Sequence, residues 1–161
     1  MQFQVMNRSD ARKYSYQTHG HKYIIISISD MTDEANKFNR SPELLDVLPL
    51  WFDDEEKPHP NCITPEDADK IINFVNKYVD KVDEIVVHCS AGVSRSAGVC
   101  AALMCIILGS DKYIFENPKF CPNMTCYRTV LNAYFGSYDE EEIQRKEATS
   151  IAIWRKANGL D

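Results

Sequence analysis

Apolar positions divide the chain into short β-branched runs and longer stretches of helical period. Tyr23, Ile24, Ile25, Ile26 and Ile28 form the clearest run, bounded by His-Gly before and Asp-Met-Thr-Asp after, which predicts a buried strand. Residues 84–88, Glu-Ile-Val-Val-His, read as a second short strand, residues 48–52 as one that runs into a polar loop, and residues 2–6 as another. Residues 30–42 read as a loop. A helix is predicted over 64–81, with Thr64 as N-cap, Pro65 at the first helical position and Glu66 and Asp67 in the first turn. Its apolar residues Ile71, Ile72, Phe74, Val75, Tyr78 and Val79 recur at helical spacing. Residues 96–108 form an apolar, alanine-containing helix ended by Gly109, and 8–18, 123–134 and 140–158 read as further helices. On the last of these, Ile151 and Trp154 are expected to be core contacts. Strands mixed with covering helices imply an α/β fold, a central mixed, partly parallel β-sheet flanked by helices. A length of 161 residues suits a single domain over 1–161.

Composition adds limits. The formal charge of −6, from 24 acidic against 18 basic residues, gives a field that repels nucleic acid and anionic membranes, and no Lys/Arg run reverses it. No nucleic-acid or membrane partner is therefore expected. The first ten residues lack the apolar core of a signal peptide, and no apolar stretch approaches the roughly 20 residues that cross a bilayer, so a soluble, cytoplasmic protein is expected. Six cysteines could suggest a disulfide framework, but Cys100 and Cys105 fall inside an apolar helical run, where cysteine acts as a small hydrophobe. Cys121 and Cys126 lack the second pair or nearby histidines that zinc would ask for. Reduced thiols and no metal are expected.

The chemistry is concentrated between the strand 84–88 and the helix 96–108. A short loop that leads from a strand into a helix N-terminus can aim several backbone N–H groups inward, where the helix dipole adds positive potential. Cys89, Ser90, Ala91, Gly92, Val93, Ser94 and Arg95 form such a loop, with small side chains and a glycine that lets the backbone curl around a tetrahedral anion. The planar guanidinium of Arg95 suits two phosphate oxygens at once. A thiol in that field is pushed toward thiolate, which makes Cys89 the candidate nucleophile. An attacked phosphate ester must lose an alkoxide or phenoxide, so a carboxylic acid is needed across the cleft. Asp53 and Asp54, after the strand 48–52, are the candidates. Ser96 is placed to hydrogen-bond the sulfur and improve it as a leaving group.

His88-Cys89-Ser90-Ala91-Gly92-Val93-Ser94-Arg95-Ser96 resembles the H-C-x5-R-S/T signature of protein tyrosine and dual-specificity phosphatases, and the upstream aspartate pair agrees with it. The likeness of order covers roughly residues 23–134. The compact size and Trp51-Phe52-Asp53-Asp54 look like the small dual-specificity branch, and the Phe-Asp-Asp run is similar to that of the phosphatases of regenerating liver. That resemblance implies Asp54 as the acid, whereas aligning Trp51-Phe52-Asp53 with the Trp-Pro-Asp of tyrosine-specific enzymes implies Asp53. It further implies a phosphate loop of Ser90, Ala91, Gly92, Val93, Ser94 and Arg95, a supporting role for His88 around the loop, no cofactor, and a phosphorylated protein or peptide as substrate.

The fold family also contains RNA 5′-triphosphatases and phosphoinositide phosphatases. Those branches tend to carry basic residues in or near the loop, while the five residues between Cys89 and Arg95 are uncharged. A rival of another class is a phosphoprotein-binding module without turnover, against which the intact Cys89, Arg95, Ser96 and Asp54 argue. His21 and His59 are expected to have surface roles.

Overall fold

A computed structural model describes residues 1–160. The chain runs β1 (Gln2–Met6), α1 (Arg8–Ser15), β2 (Tyr23–Ser29), β3 (Leu44–Trp51), α2 (Pro65–Tyr78), β4 (Glu84–His88), α3 (Arg95–Leu108), α4 (Lys112–Phe115), α5 (Met124–Phe135) and α6 (Glu140–Ala157). The sheet order is β1-β4-β2-β3. All three pairings are parallel, so the parallel character expected of part of the sheet extends to all of it. Each connection between strands is a helix or a long segment, which is what parallel neighbours need.

β2 is the hydrophobic centre, with all seven residues buried. Because side chains alternate across a strand, Ile24, Ile26 and Ile28 join Ile85 and Val87 of β4 in the larger core, beneath α2, α3 and α5. Tyr23 and Ile25 point to the other face, where they meet Val86, Leu44 and Tyr14 of α1. Ser27 and Ser29 continue that second face toward the strand ends, so the apolar layer gives way to hydroxyls near the start of the Cys89–Arg95 loop.

α2 starts as its sequence predicts. Thr64 Oγ1 accepts from the Asp67 amide at 3.1 Å while Asp67 Oδ2 accepts from the Thr64 amide at 3.0 Å, a reciprocal cap. α3 ends at Gly109 with φ +73°. β3 begins earlier than the pattern at 48–52 indicates, because Asp46 interrupts the apolar run. Asp46 is tolerated on this edge strand by accepting from Tyr78 Oη at 2.5 Å. Pro49, which cannot donate to a ladder, also fits an edge position. The expectation for Ile151 and Trp154 is corrected. Ile151 is 42 % exposed and Trp154 half-buried, and α6 anchors instead through the buried Ile143 and Ser150. α4 went unpredicted since a four-residue turn carries too little period to read. No helix among the described residues is long and apolar enough to cross a membrane.

Candidate active site

The loop between β4 and α3 closes on itself around Cys89. Cys89 is buried, with Sγ 3.0 Å from Ser96 Oγ and accepting from the Gly92 amide at 3.3 Å. Gly92 has φ +69°, and a Cβ there would lie 2.6 Å from Asn7 N and Met6 C. The loop thus rests directly on the β1–α1 junction, and both conformation and space require glycine. Arg8 N donates to Ser90 O at 3.3 Å and adds a second tie between the two segments.

α3 opens without a side-chain cap. Ser94, its N-cap residue, turns its hydroxyl away to donate to Asp54 Oδ1 at 2.8 Å, so the first N–H groups of the helix are left for a ligand. Arg95 is 5 % exposed and partly committed: Nη1 donates to Asp30 Oδ1 at 2.6 Å and to the Phe52 carbonyl at 2.8 Å. Its Nη2 reaches Ser90 Oγ at 3.4 Å, and its Nε is buried without an acceptor. One edge of the guanidinium is held by protein while the other retains donor capacity, which is the arrangement an oxyanion would complete.

The two aspartates, equivalent by sequence, differ in structure. Asp53 has both oxygens engaged, Oδ1 by the Met31 amide of the segment after β2 at 3.0 Å and Oδ2 by Asn61 Nδ2 of its own loop at 3.1 Å. Asp54 faces the Cys89–Arg95 loop, and its Oδ1 accepts from Ser94 Oγ and from Asn123 Nδ2 at 3.0 Å. Asn123 also donates to the Glu55 carbonyl at 3.1 Å, and its own amide donates to Ser94 O at 3.0 Å. Its Oδ1 caps α5 by accepting from Cys126 N at 3.0 Å.

His88 is fully buried. Its Nδ1 lies 3.2 Å from the Cys89 carbonyl and must be the donor there, which leaves Nε2 to accept from Ser27 Oγ at 2.7 Å. Burial, aided by the charges of Arg8, Arg12 and Arg95, lowers its pKa to about 4 against the opposing bond to Cys89 O. The imidazole is therefore neutral near pH 7 and sits beneath the loop. Burial pushes the Cys100 thiol up to about 12 and holds Cys126 well above the ordinary range. Cys105 and Cys121 are also raised, first by burial and then by nearby acids, and all six cysteines are free.

The structure thus brings Cys89, Ser90, Gly92, Ser94, Arg95, Ser96, His88 and Asp54 into one cluster, with Ala91 and Val93 in the same loop and Asp53 engaged beside it. Sequence reading missed Asp30, Asn123 and Arg8. Asn123 carried a signal as the residue before a helical run. Nothing local marked Asp30, whose partner lies 65 residues away.

The Cys89–Arg95 loop therefore joins β4, next to the centre of an all-parallel sheet, to the N-terminus of α3. The family profile described as protein-tyrosine phosphatase matches residues 16–131, and the chain belongs to that family. No curated protein matches the sequence. Among solved structures the chain is similar to human DUSP28, with a TM-score of 0.51 and 12 % identity over 99 % of this chain and 95 % of that one. It is also similar to the human tyrosine phosphatase-like serine/threonine/tyrosine-interacting protein, with a TM-score of 0.51 and 19 % identity over 93 % and 91 %. Those likenesses show the fold, that of the small dual-specificity-like phosphatases.

Proposed function

We propose that the chain is a protein phosphatase that hydrolyses phosphotyrosine, and phosphoserine or phosphothreonine as further substrates, through a phosphocysteine intermediate. The observation that carries this reading is the half-spent guanidinium of Arg95 in the same short loop as the buried Cys89, with Asp54 tethered to that loop.

Phosphate bound in the loop accepts from the backbone amides and from the Nε and Nη2 edge of Arg95. Cys89, as thiolate, forms the S–P bond while the ester P–O bond breaks, and Asp54 gives its proton to the departing oxygen. Asp54, now a carboxylate, takes a proton from the water that attacks phosphorus. The S–P bond then breaks, and Ser96, 3.0 Å from the sulfur, donates to the departing thiolate. Asp53 is the weaker candidate for the acid because both its oxygens are occupied. His88 acts as a fixed support of the loop. The residues ask for no metal or cofactor.

The test is phosphate release, in a chelator, from a phosphotyrosine peptide, a phosphoserine peptide and 5′-triphosphorylated RNA, by the wild type and by Cys89→Ser. Release from peptides that Cys89→Ser abolishes is the expected result. Activity that survives Cys89→Ser removes the nucleophile assignment, and release from RNA alone moves the reading to a triphosphatase.

A further inference from the structure

The segment between α4 and α5 lies against the far end of the Cys89–Arg95 loop and is fixed there by its amides. Cys121 N donates to Val93 O and Asn123 N to Ser94 O, both at 3.0 Å. Between this segment, the acid loop and α6 runs a groove of about 350 Å³, lined by Ser94, by Asp54 and Glu56, and by Glu147, Ser150 and Ile151 of α6. Ser94 belongs to both places: it is the N-cap residue of α3, and its hydroxyl donates to Asp54 Oδ1 at 2.8 Å. The groove therefore begins where the Cys89 loop ends.

Its charge is one-sided. Three carboxylates line it and, among the described residues, no Lys, Arg or His does. The cations carried by α5 and α6 nearby are committed elsewhere. Arg128 grips Glu140 with Nε and Nη2, at 3.0 and 2.7 Å, and stands 3.9 Å from Glu147. Lys146 holds Asp111 at 2.8 Å and Glu142 at 3.3 Å. Burial raises the Cys121 thiol, and Asp54, Glu147 and Glu56 add to that rise, so all three acids act on one point of the groove.

A cluster of acids is by default a solvated surface. The hydroxyl of Ser150 sets this one apart. Ser150 is 3 % exposed, and its Oγ has no hydrogen-bond partner, neither a donor to it nor one of the neighbouring carboxylates. A buried polar atom left in that state calls for a partner that the fold does not supply. Ile151, which the packing of α6 leaves 42 % exposed, gives the same groove an apolar wall. Lys and Arg side chains have the matching form, an apolar stem that ends in a cation with several donors.

We propose that this groove is a substrate subsite for the Lys or Arg side chain of a residue flanking the phosphorylated one, with Glu56, Glu147 and Ser150 Oγ as its polar partners. This rests on reading the Cys89 loop as the hydrolytic site. Asp54 is left to its proton transfer, since its Oδ1 already accepts from Ser94 and Asn123. Charge-assisted bonds to the carboxylates supply the preference, and an acidic flanking residue is repelled from the same place.

The experiment walks one cation, lysine or arginine, through an otherwise neutral phosphotyrosine peptide on both sides of the phosphotyrosine, with glutamine at the same position as the reference. Wild type is expected to show a kcat/KM about fivefold higher than the reference at one or two positions, equivalent to roughly 1 kcal/mol, and a gain with either cation supports the subsite. Glu147→Gln combined with Ser150→Ala should bring that ratio to parity, and Glu147→Lys should turn the preference to a glutamate at the same position. A gain of equal size at every position, which the negative field of the whole chain would give, overturns the proposal. So does a gain that survives both variants. Parity in the wild type removes the subsite and leaves the hydrolytic reading standing. Kd values on Cys89→Ser separate the two readings. If no peptide is hydrolysed, tighter binding of the basic peptide that Glu147→Gln with Ser150→Ala loses still supports the subsite, and equal Kd removes it.

Discussion

β4 is five residues long and has a buried ionisable site at each end, and the two are built on opposite terms. At its start Glu84, 1 % exposed, already holds its partners: the Tyr14 hydroxyl and His21 Nε2, at 3.1 Å, both donate to Oε1. His19 stacks on Tyr14 with centroids 3.6 Å apart and closes the cluster, although the Tyr23 hydroxyl beside it has no partner. Past the other end, Arg95 and Arg8 are cations whose Nε donors have nothing to donate to. The first end spends its charge on holding α1 and the segment before β2 against β4. The second keeps charge in reserve. Donors left open in a buried, well-ordered place are a stronger pointer to a ligand than charge alone, because the first end is charged as well.

The largest separation of the two ends is expected from single substitutions read in two ways. Asp54→Asn should lower kcat by roughly 10² to 10⁴ on esters with poor leaving groups and leave the urea midpoint almost unchanged. Asp53→Asn should instead lower the midpoint while keeping most of the rate, and a rate loss as large as that of Asp54→Asn would reassign the acid. At the opposite end, Glu84→Leu strands the Tyr14 hydroxyl and His21. It should cost roughly 3 to 5 kcal/mol of stability, measured by denaturant unfolding, with kcat per folded molecule retained.

Acid should act next, through His88. The unfolded chain takes up this proton near pH 6.5, the folded one only near 4, so between these values the unfolded state binds more protons. Stability should fall as pH drops across that window, by on the order of 3 kcal/mol. Tyr14→Phe should cost about 1 kcal/mol, the net worth of one hydrogen bond, with no change in rate. The smallest effect lies above pH 6.5. There the Glu84 hydrogen bond holds the His21 pKa above its ordinary value, so its stabilisation is complete below 6.5 and disappears as pH rises through the folded value. A urea midpoint that peaks near pH 6.5 in wild type and loses its alkaline limb in His21→Gln would bear out both histidines.

What could be read from the sequence was what is local. β2, β4 and α3 declare themselves by composition, and the Cys89–Arg95 loop is contiguous, so its position between a strand and a helix followed from the residues alone. The α2 cap is legible for the same reason. Choosing between Asp53 and Asp54 was not possible on physical grounds, since the choice depends on which carboxylate Asn61 and Met31 capture and which Asn123 reaches across 69 residues. The acidic groove was hidden similarly, because it depends on α6 docking beside a loop far back along the chain. Trp154 and Ile151 misled because helical spacing shows which residues share a face and leaves open whether anything covers it.

The seat of Gly92 on the β1–α1 junction has a kinetic consequence. β2 can pair with β3 over a short span of chain, but β1 has only β4 as a neighbour, with Gln2 opposite Glu84. Closing that span is the costliest loop in the sheet, and a sheet of parallel strands offers no hairpin to shorten it. The anion loop cannot take its final shape until residues 6 and 7 lie beneath it. In a refolding experiment, phosphate binding should therefore return with the docking of the edge strand and lag behind the burial of β2.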